Sequence, residues 1–318
     1  MNASTGAPLG EWLLAESRAL GFDDGALVRA DRGTPGAEAL RAAAEQGRLG
    51  PLDWLRESVA VRADVQARYP GARTALVVVQ TYFTGDHEEH ASPEELTRGA
   101  KVSRYAWGGD YHKSMRRRLR KLRKRLLAEG GEDASVWIFN DVDPVLERAW
   151  AEAAGLGFIG KNAMFIHRRM GTWTFLGGLL TTLDLGAPDP APPHRFCGSC
   201  TACLDACPTG ALTEPGILDI ARCLTTWNIE APLAPEAAAK ELVGHGWAAG
   251  CDVCQEVCPW NRFERRSVDE RFQPRPGHVV LEPGRLPDDL EGTPLARPRK
   301  EGLEASVARA LEKRQREP

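Results

Sequence analysis

The first half of the chain alternates between two hydrophobic periods. Residues 9–20, LGEWLLAESRAL, carry apolar side chains at helical spacing and stop near Gly21. Residues 36–49 read as a second helix. TALVVVQTYF, residues 74–83, is β-branched and aromatic, the pattern of a buried strand. A polar loop with two histidines, 87–92, follows. Residues 111–129 predict a long helix and ASVWIFN, 134–140, another strand. PVLERAWAEAA, 144–154, opens with a proline suited to a first helical turn, and the glycines of GLGFIG, 155–160, end that helix in a tight turn. WTFLGGLLTTLDL, 173–185, predicts a further strand. This alternation predicts a three-layer α/β or α+β core up to about residue 186.

The proline-rich segment GAPDPAPPHR, 186–195, marks a boundary. Three stretches are therefore expected: an α/β domain over 1–186, a cysteine-bearing domain over 187–265, and a short C-terminal extension over 266–318 with a final helix at 300–315. The 318 residues, 42% hydrophobic, suffice for a substantial core. The net charge of −3 means that any nucleic-acid contact must use a local patch. Residues 1–14 show no basic stretch leading into a long apolar run, and no segment approaches a membrane span. A soluble, cytoplasmic monomer is expected.

Eight cysteines, all between Cys197 and Cys258, change the picture. A cytosolic chain keeps thiols reduced, and scattered core cysteines would not cluster, so metal ligation is expected. Cys197-x2-Cys200-x2-Cys203-x3-Cys207-Pro208 matches the bacterial ferredoxin run. In two-cluster ferredoxins the fourth cysteine of that run serves the other cluster. The same crossing assigns Cys197, Cys200, Cys203 and Cys258 to a first 4Fe–4S cluster. Cys207, Cys223, Cys251 and Cys254 then hold a second, with Cys223 standing where the ferredoxin spacing has a nearer ligand. Two zinc sites would also use eight cysteines, but CxxCxxCxxxCP is far more specific than a CxxC pair.

Three further features bear chemistry. From Lys113 to Arg125, nine of thirteen residues are Lys or Arg. Met115, Leu119, Leu122 and Leu126 share one helical face, which leaves a cationic stripe opposite that suits phosphate backbones; Lys113, Arg116, Arg117, Arg120, Lys121, Arg123 and Lys124 are its candidate nucleic-acid contacts. The segment 155–160 fits G-x-G-x-x-G but follows a helix instead of a strand, so a dinucleotide site is rejected. Asp141, at a strand end, is a candidate general acid, beside Asp143, a candidate helix cap.

Together, CGSCTACLDACPTGAL, RCLTTWNIE, GCDVCQEVCPWN, VSRYAWGGDYHK and DVDPVLERAWAEAAGLGFIGKN resemble the epoxyqueuosine reductase family over roughly residues 10–265. The resemblance implies an α+β protein: a nitroreductase-like cobalamin-binding α/β core followed by a ferredoxin-like domain with two 4Fe–4S clusters. It implies reduction of epoxyqueuosine to queuosine at the wobble position of tRNA. Asp141 is then the proton donor, its carboxyl raised toward neutrality by burial. Arg104, Tyr111, His112 and Lys161 are implied cobalamin or substrate contacts, and the Cys197 set is implied to lie nearest cobalt. The implied partners are tRNA, gripped near its anticodon, and an external low-potential electron donor. Two departures stand out: LTTWNIE replaces the family's ISYLTIE after Cys223, and the helical-repeat tail of many members is expected to be missing. A corrinoid reductive dehalogenase has no use for the basic helix. A ferredoxin-type carrier leaves the long stretch before Cys197 without a role.

Overall fold

The computed structural model describes residues 6–131, 133–232 and 244–312; the last part of the helix predicted over 300–315 lies outside them. Strands β1 (Asp24–Arg29), β2 (Thr74–Thr81), β7 (Thr174–Thr181) and β4 (Val136–Phe139) form one sheet in the order β1-β2-β7-β4, every pair antiparallel. β2 is buried at all eight positions, as its unbroken apolar run requires of a central strand. The chain runs close beneath β7: a Cβ on Gly178 would stand 1.9 Å from the Leu76 carbonyl oxygen, so only glycine allows this approach.

Helices cover both faces. On one side pack the helices Gly6–Ala19 and Tyr111–Gly130. The predicted face Met115, Leu119, Leu122 and Leu126 is fully buried there, each such side chain contributing roughly 1.5–3 kcal/mol. On the other side Trp150 and its neighbours in Glu147–Ala153 meet Val77, Val79 and Leu180. The three-layer α+β core expected from the sequence is what the chain forms.

A second sheet links distant parts of the chain. β3 (Ala100–Val102) pairs with β10 (Trp247–Ala249) on one edge and β11 (Val280–Leu281) on the other. The helix Arg299–Glu312 packs over it through Leu303, Val307 and Leu311. Residues 266–312 thus belong to a shared core and are not a trailing extension, and the sheet draws one strand from each of the three expected stretches. Small hairpins β5 (Gly157–Ile159) with β6 (Phe165–His167), and β8 (Leu212–Glu214) with β9 (Ile217–Leu218), complete the strands.

Some local expectations are corrected. The loop expected at 87–92 holds a helical turn, His87–His90, closed by a capping box between Asp86 and Glu89. Pro144 does not open the next helix, which starts at Glu147. Gly155 ends it with φ +75° as expected, but Gly157–Ile159 then enters β5 instead of remaining a turn. No helix among the described residues is long and apolar enough to cross a membrane.

Candidate active site

A cavity of about 1170 Å³ opens between the main sheet and the cysteine region. Tyr82, Tyr105, Tyr111 and Phe175 give it an aromatic wall, and Cys207, Cys223, Cys251 and Cys254 line its floor. Tyr111 is locked in place: its ring stacks on Phe175 at 4.0 Å and 6°, and on His112 at 3.9 Å. Among the described residues no histidine lines the cavity, so a flat apolar macrocycle seated there meets no imidazole from them. The apolar, aromatic lining fits the flat corrin of cobalamin.

Asp141 stands on the turn after β4, one hydrogen bond from the cavity-lining Tyr111, with φ +36°, a left-handed conformation that aspartate tolerates better than most residues. Its Oδ2 accepts the Tyr111 hydroxyl at 2.7 Å and pairs with His112 Nε2 at 2.6 Å. His112 Nδ1 pairs in turn with Asp110 Oδ1 at 2.8 Å, and the same Asp110 oxygen caps the basic helix by accepting the His112 N–H. Asp141 Oδ1 makes no hydrogen bond among the described residues, and the side chain is 59% exposed.

The charges differ from expectation. Burial alone would raise the Asp141 carboxyl, but hydrogen bonds from His112 and Tyr111 outweigh it and hold the carboxyl below its usual range. Burial opposes charge on His112 too, yet Asp141 and Asp110 lift that imidazole above its ordinary value. The expected raised carboxyl is therefore corrected: the Asp141 carboxyl is lowered and the His112 imidazole raised, each by the other. Two neighbours escaped the sequence reading. Burial pushes the Glu147 carboxyl up to about 8, the Asp141 charge adding to it. Arg297, held by Glu230 through Nε at 3.0 Å, brings a positive charge toward Asp141 from the C-terminal segment. Nothing in the spacing of 230 and 297 announces that pair.

Asp143 caps no helix. Its Oδ2 accepts the Asn140 N–H at 3.0 Å and Arg116 Nη1 at 2.6 Å, closing the turn that presents Asp141. Arg116 is thus drawn away from the stripe, and Arg123 Nε donates to the Val136 carbonyl at 2.7 Å. Lys113 lies 3.8 Å from Asp110. Arg117, Arg120, Lys121 and Lys124 remain exposed on the outer face.

Arg104 and Lys161 do not line the large cavity. Arg104 is buried, donating to Asp252 at 3.2 Å, Glu256 at 2.7 Å and Asp86 at 2.8 Å, with Trp173 4.8 Å beneath its guanidinium. It clamps the Cys251–Cys254 loop to the α/β core. Lys161 clamps the other loop: Nζ donates to the carbonyls of Gly198 at 2.8 Å and Cys200 at 2.9 Å, and its N–H points at Cys197 Sγ, 3.5 Å away.

The cysteines fall into two sets. Cys197, Cys200, Cys203 and Cys258 surround a cavity of about 330 Å³ with Lys161, Asn162 and Trp260, while the other four line the large cavity. No three His, Cys, Asp or Glu side chains among the described residues converge tightly enough to hold a single ion. Each set rings a space, as a cuboid cluster needs and a lone zinc ion does not. Burial pushes the Cys254 thiol up, and Cys223 adds to it; a cationic iron core reverses that balance. The set beside the large cavity is the Cys207 set, not the Cys197 set as expected. Asn162 borders both spaces, with its Nδ2 on the Cys254 carbonyl at 3.2 Å.

A model of a 4Fe-4S double cluster binding domain matches residues 196–261, and one described as Epoxyqueuosine reductase QueG, DUF1730, matches residues 62–142. The chain is 42% identical over 276 residues to an epoxyqueuosine reductase of Gloeobacter violaceus, covering 85% of this chain and 82% of that one. It is similar, with a TM-score of 0.80 and 25% identity, to an epoxyqueuosine reductase crystallised with an epoxyqueuosine-modified tRNA-Tyr stem loop; the match covers 96% of this chain and 81% of the other. A Bacillus subtilis epoxyqueuosine reductase, with its catalytic aspartate loop swung out of the active site, matches over the same shares with a TM-score of 0.78 and 25% identity.

Proposed function

The chain belongs to the epoxyqueuosine reductase family, and from that premise we propose that it reduces epoxyqueuosine to queuosine in tRNA with Asp141 as the proton donor. The observation that carries the assignment is the hydrogen bond from Tyr111, in the wall of an aromatic cavity floored by cysteines, to Asp141, one carboxylate oxygen of which is shared by Tyr111 and His112. When bound, the two 4Fe–4S clusters and the cobalamin supply the electrons and the cobalt-centred chemistry.

The chain's own residues supply position and protons. Cys197, Cys200, Cys203 and Cys258 would hold one cluster, and Cys207, Cys223, Cys251 and Cys254 the other. Tyr82, Tyr105, Tyr111 and Phe175 would wall the corrin and exclude water. The net change takes two electrons and two protons: the epoxide oxygen leaves as water and a carbon–carbon double bond remains. Asp141 would give a proton to the departing oxygen, and His112, 2.6 Å from Asp141 Oδ2, would return one. Arg117, Arg120, Lys121 and Lys124, with Lys113 and Arg123 beside them, form a surface for tRNA phosphates.

Anaerobic turnover of epoxide-containing tRNA by reconstituted protein tests this reading. The wild type converts epoxide to alkene only when cobalamin is supplied. Absence of conversion with both clusters and cobalamin loaded would overturn it.

A further inference from the structure

The surface around the first cysteine set is aromatic. Phe196 precedes Cys197 and Val257 precedes Cys258; with Phe263 they are 46%, 36% and 41% exposed, three of the six large apolar side chains exposed among the described residues. Ring contacts group the aromatic members: Phe196 and Trp260 each meet the buried Phe158 ring at 5.2 Å, and Trp260 meets Phe263 at 5.8 Å. Trp260 also borders the cavity ringed by Cys197, Cys200, Cys203 and Cys258. The patch therefore lies directly over that set.

Its border is cationic. The Arg168 guanidinium sits 5.3 Å from the Phe196 ring and that of Arg262 4.4 Å from Phe263. Among the described residues neither makes an ion pair, whereas Arg169 and Arg195 nearby are held by Asp24 and Glu152. Exposed apolar side chains grouped in this way mark a contact site, and aromatic and arginine side chains are what protein interfaces favour.

We propose that this patch is the docking face for an acidic one-electron carrier protein. The inference rests on the two-cluster reductase reading. Each epoxide consumes two electrons that no residue of the chain provides, so a reductant must deliver them in two encounters, each oxidising one carrier and reducing one cluster by a single electron. The Cys207 set lies against the large cavity, where the chemistry is placed. The Cys197 set lies beside it across Asn162, with Gly198 and Ser199 of its loop exposed. Electrons entering at the aromatic patch meet the first set and then the second. An acidic carrier fits Arg168 and Arg262, while RNA finds a far denser run of charge on the basic helix.

The test is stopped-flow bleaching of the clusters in anaerobic holoprotein, with reduced flavodoxin as carrier and dithionite as small reductant. Arg168→Glu combined with Arg262→Glu is the variant, and retention of about eight irons per chain shows that it is folded and loaded. The second-order rate with flavodoxin should fall roughly tenfold or more and lose its dependence on salt, while the dithionite rate stays as in the wild type. An unchanged flavodoxin rate would overturn the proposal. So would a variant that instead weakens tRNA binding, or one that splits a wild-type dimer in sedimentation. A loaded wild type that dithionite fails to bleach would remove the cluster reading, and the docking face with it.

Discussion

His112 Nε2 and Asp141 Oδ2 stand 2.6 Å apart, and the Tyr111 hydroxyl reaches the same oxygen at 2.7 Å. Both hydrogen bonds of the carboxylate thus fall on Oδ2, which leaves Oδ1 without a partner among the described residues. Replacing Asp141 by Asn keeps the shape but removes the group that passes the proton. Asp141→Asn should retain both clusters and bound cobalamin and lose about 10²–10⁴ in single-turnover rate, the usual share of a general acid. Near-normal turnover would end the assignment.

The same pair sets a pH window. Asp141 lies below its usual range and His112 above its own. The stabilisation from Asp141 is lost as pH falls through its depressed pKa; that from His112 is lost as pH rises through its raised one. Transfer needs the proton on His112, so the rate should decline on an alkaline limb above about 6.5, the ordinary imidazole value. The groups facing the imidazole are Asp110 and Asp141, with Tyr111 stacked on it. His112→Gln should displace that limb in a single-turnover pH profile; a limb at the same pH would assign it to another group.

The two cysteine sets make a stoichiometric prediction. Cys223→Ser should lower iron from about eight to about four per chain, because each set holds one four-iron cluster. An unchanged iron content would remove Cys223 from the ligands.

The basic helix divides its arginines between two tasks. Reversing Arg117, Arg120 and Lys124, which are exposed, should weaken tRNA binding and flatten its salt dependence by roughly 0.7–0.9 in the log–log slope per lost phosphate contact. Arg116→Glu acts elsewhere: it breaks the pair with Asp143 behind the Asp141 turn. It should slow turnover more than it changes the salt slope, as filter binding and single-turnover rates on the same variants would show.

Arg104 offers a stability test. Its guanidinium is buried against Asp252, which is itself fully buried. Arg104→Leu leaves that carboxylate unpaired, and losing one partner of a buried pair costs roughly 3–5 kcal/mol. Urea unfolding of the loaded protein should show a loss of that size; a loss below about 1 kcal/mol, the range of an exposed pair, would mean that Asp252 finds another partner.

The sequence revealed what local pattern can carry. The run at 74–81, the buried face of the basic helix and the partition of the cysteines are all written in short-range spacing. What it hid depends on distant partners. Arg104 reads as a cobalamin or substrate contact by resemblance, because the carboxylates at 86, 252 and 256 that hold it are not adjacent to it in the chain. The strand Gly157–Ile159 was masked by its flanking glycines, which signal turns as readily as close packing against β6. β3, β10 and β11 are two or three residues long, too short for any period to show. The Asp141 carboxyl was expected to be raised because burial is readable from apolar neighbours, whereas the opposing hydrogen bonds need coordinates.

The small sheet of β3, β10 and β11 also dictates an order of events during synthesis. β3 leaves the ribosome early yet has no partner until residue 247, and none on its other edge until residue 280. β10 leads straight into Cys251 and Cys254, so the loop carrying these ligands has no fixed seat until then. Contacts separated this widely in sequence form late. Iron should therefore enter the Cys207 set after most of the chain has been made, and a nascent chain halted before residue 247 should capture no iron in that set.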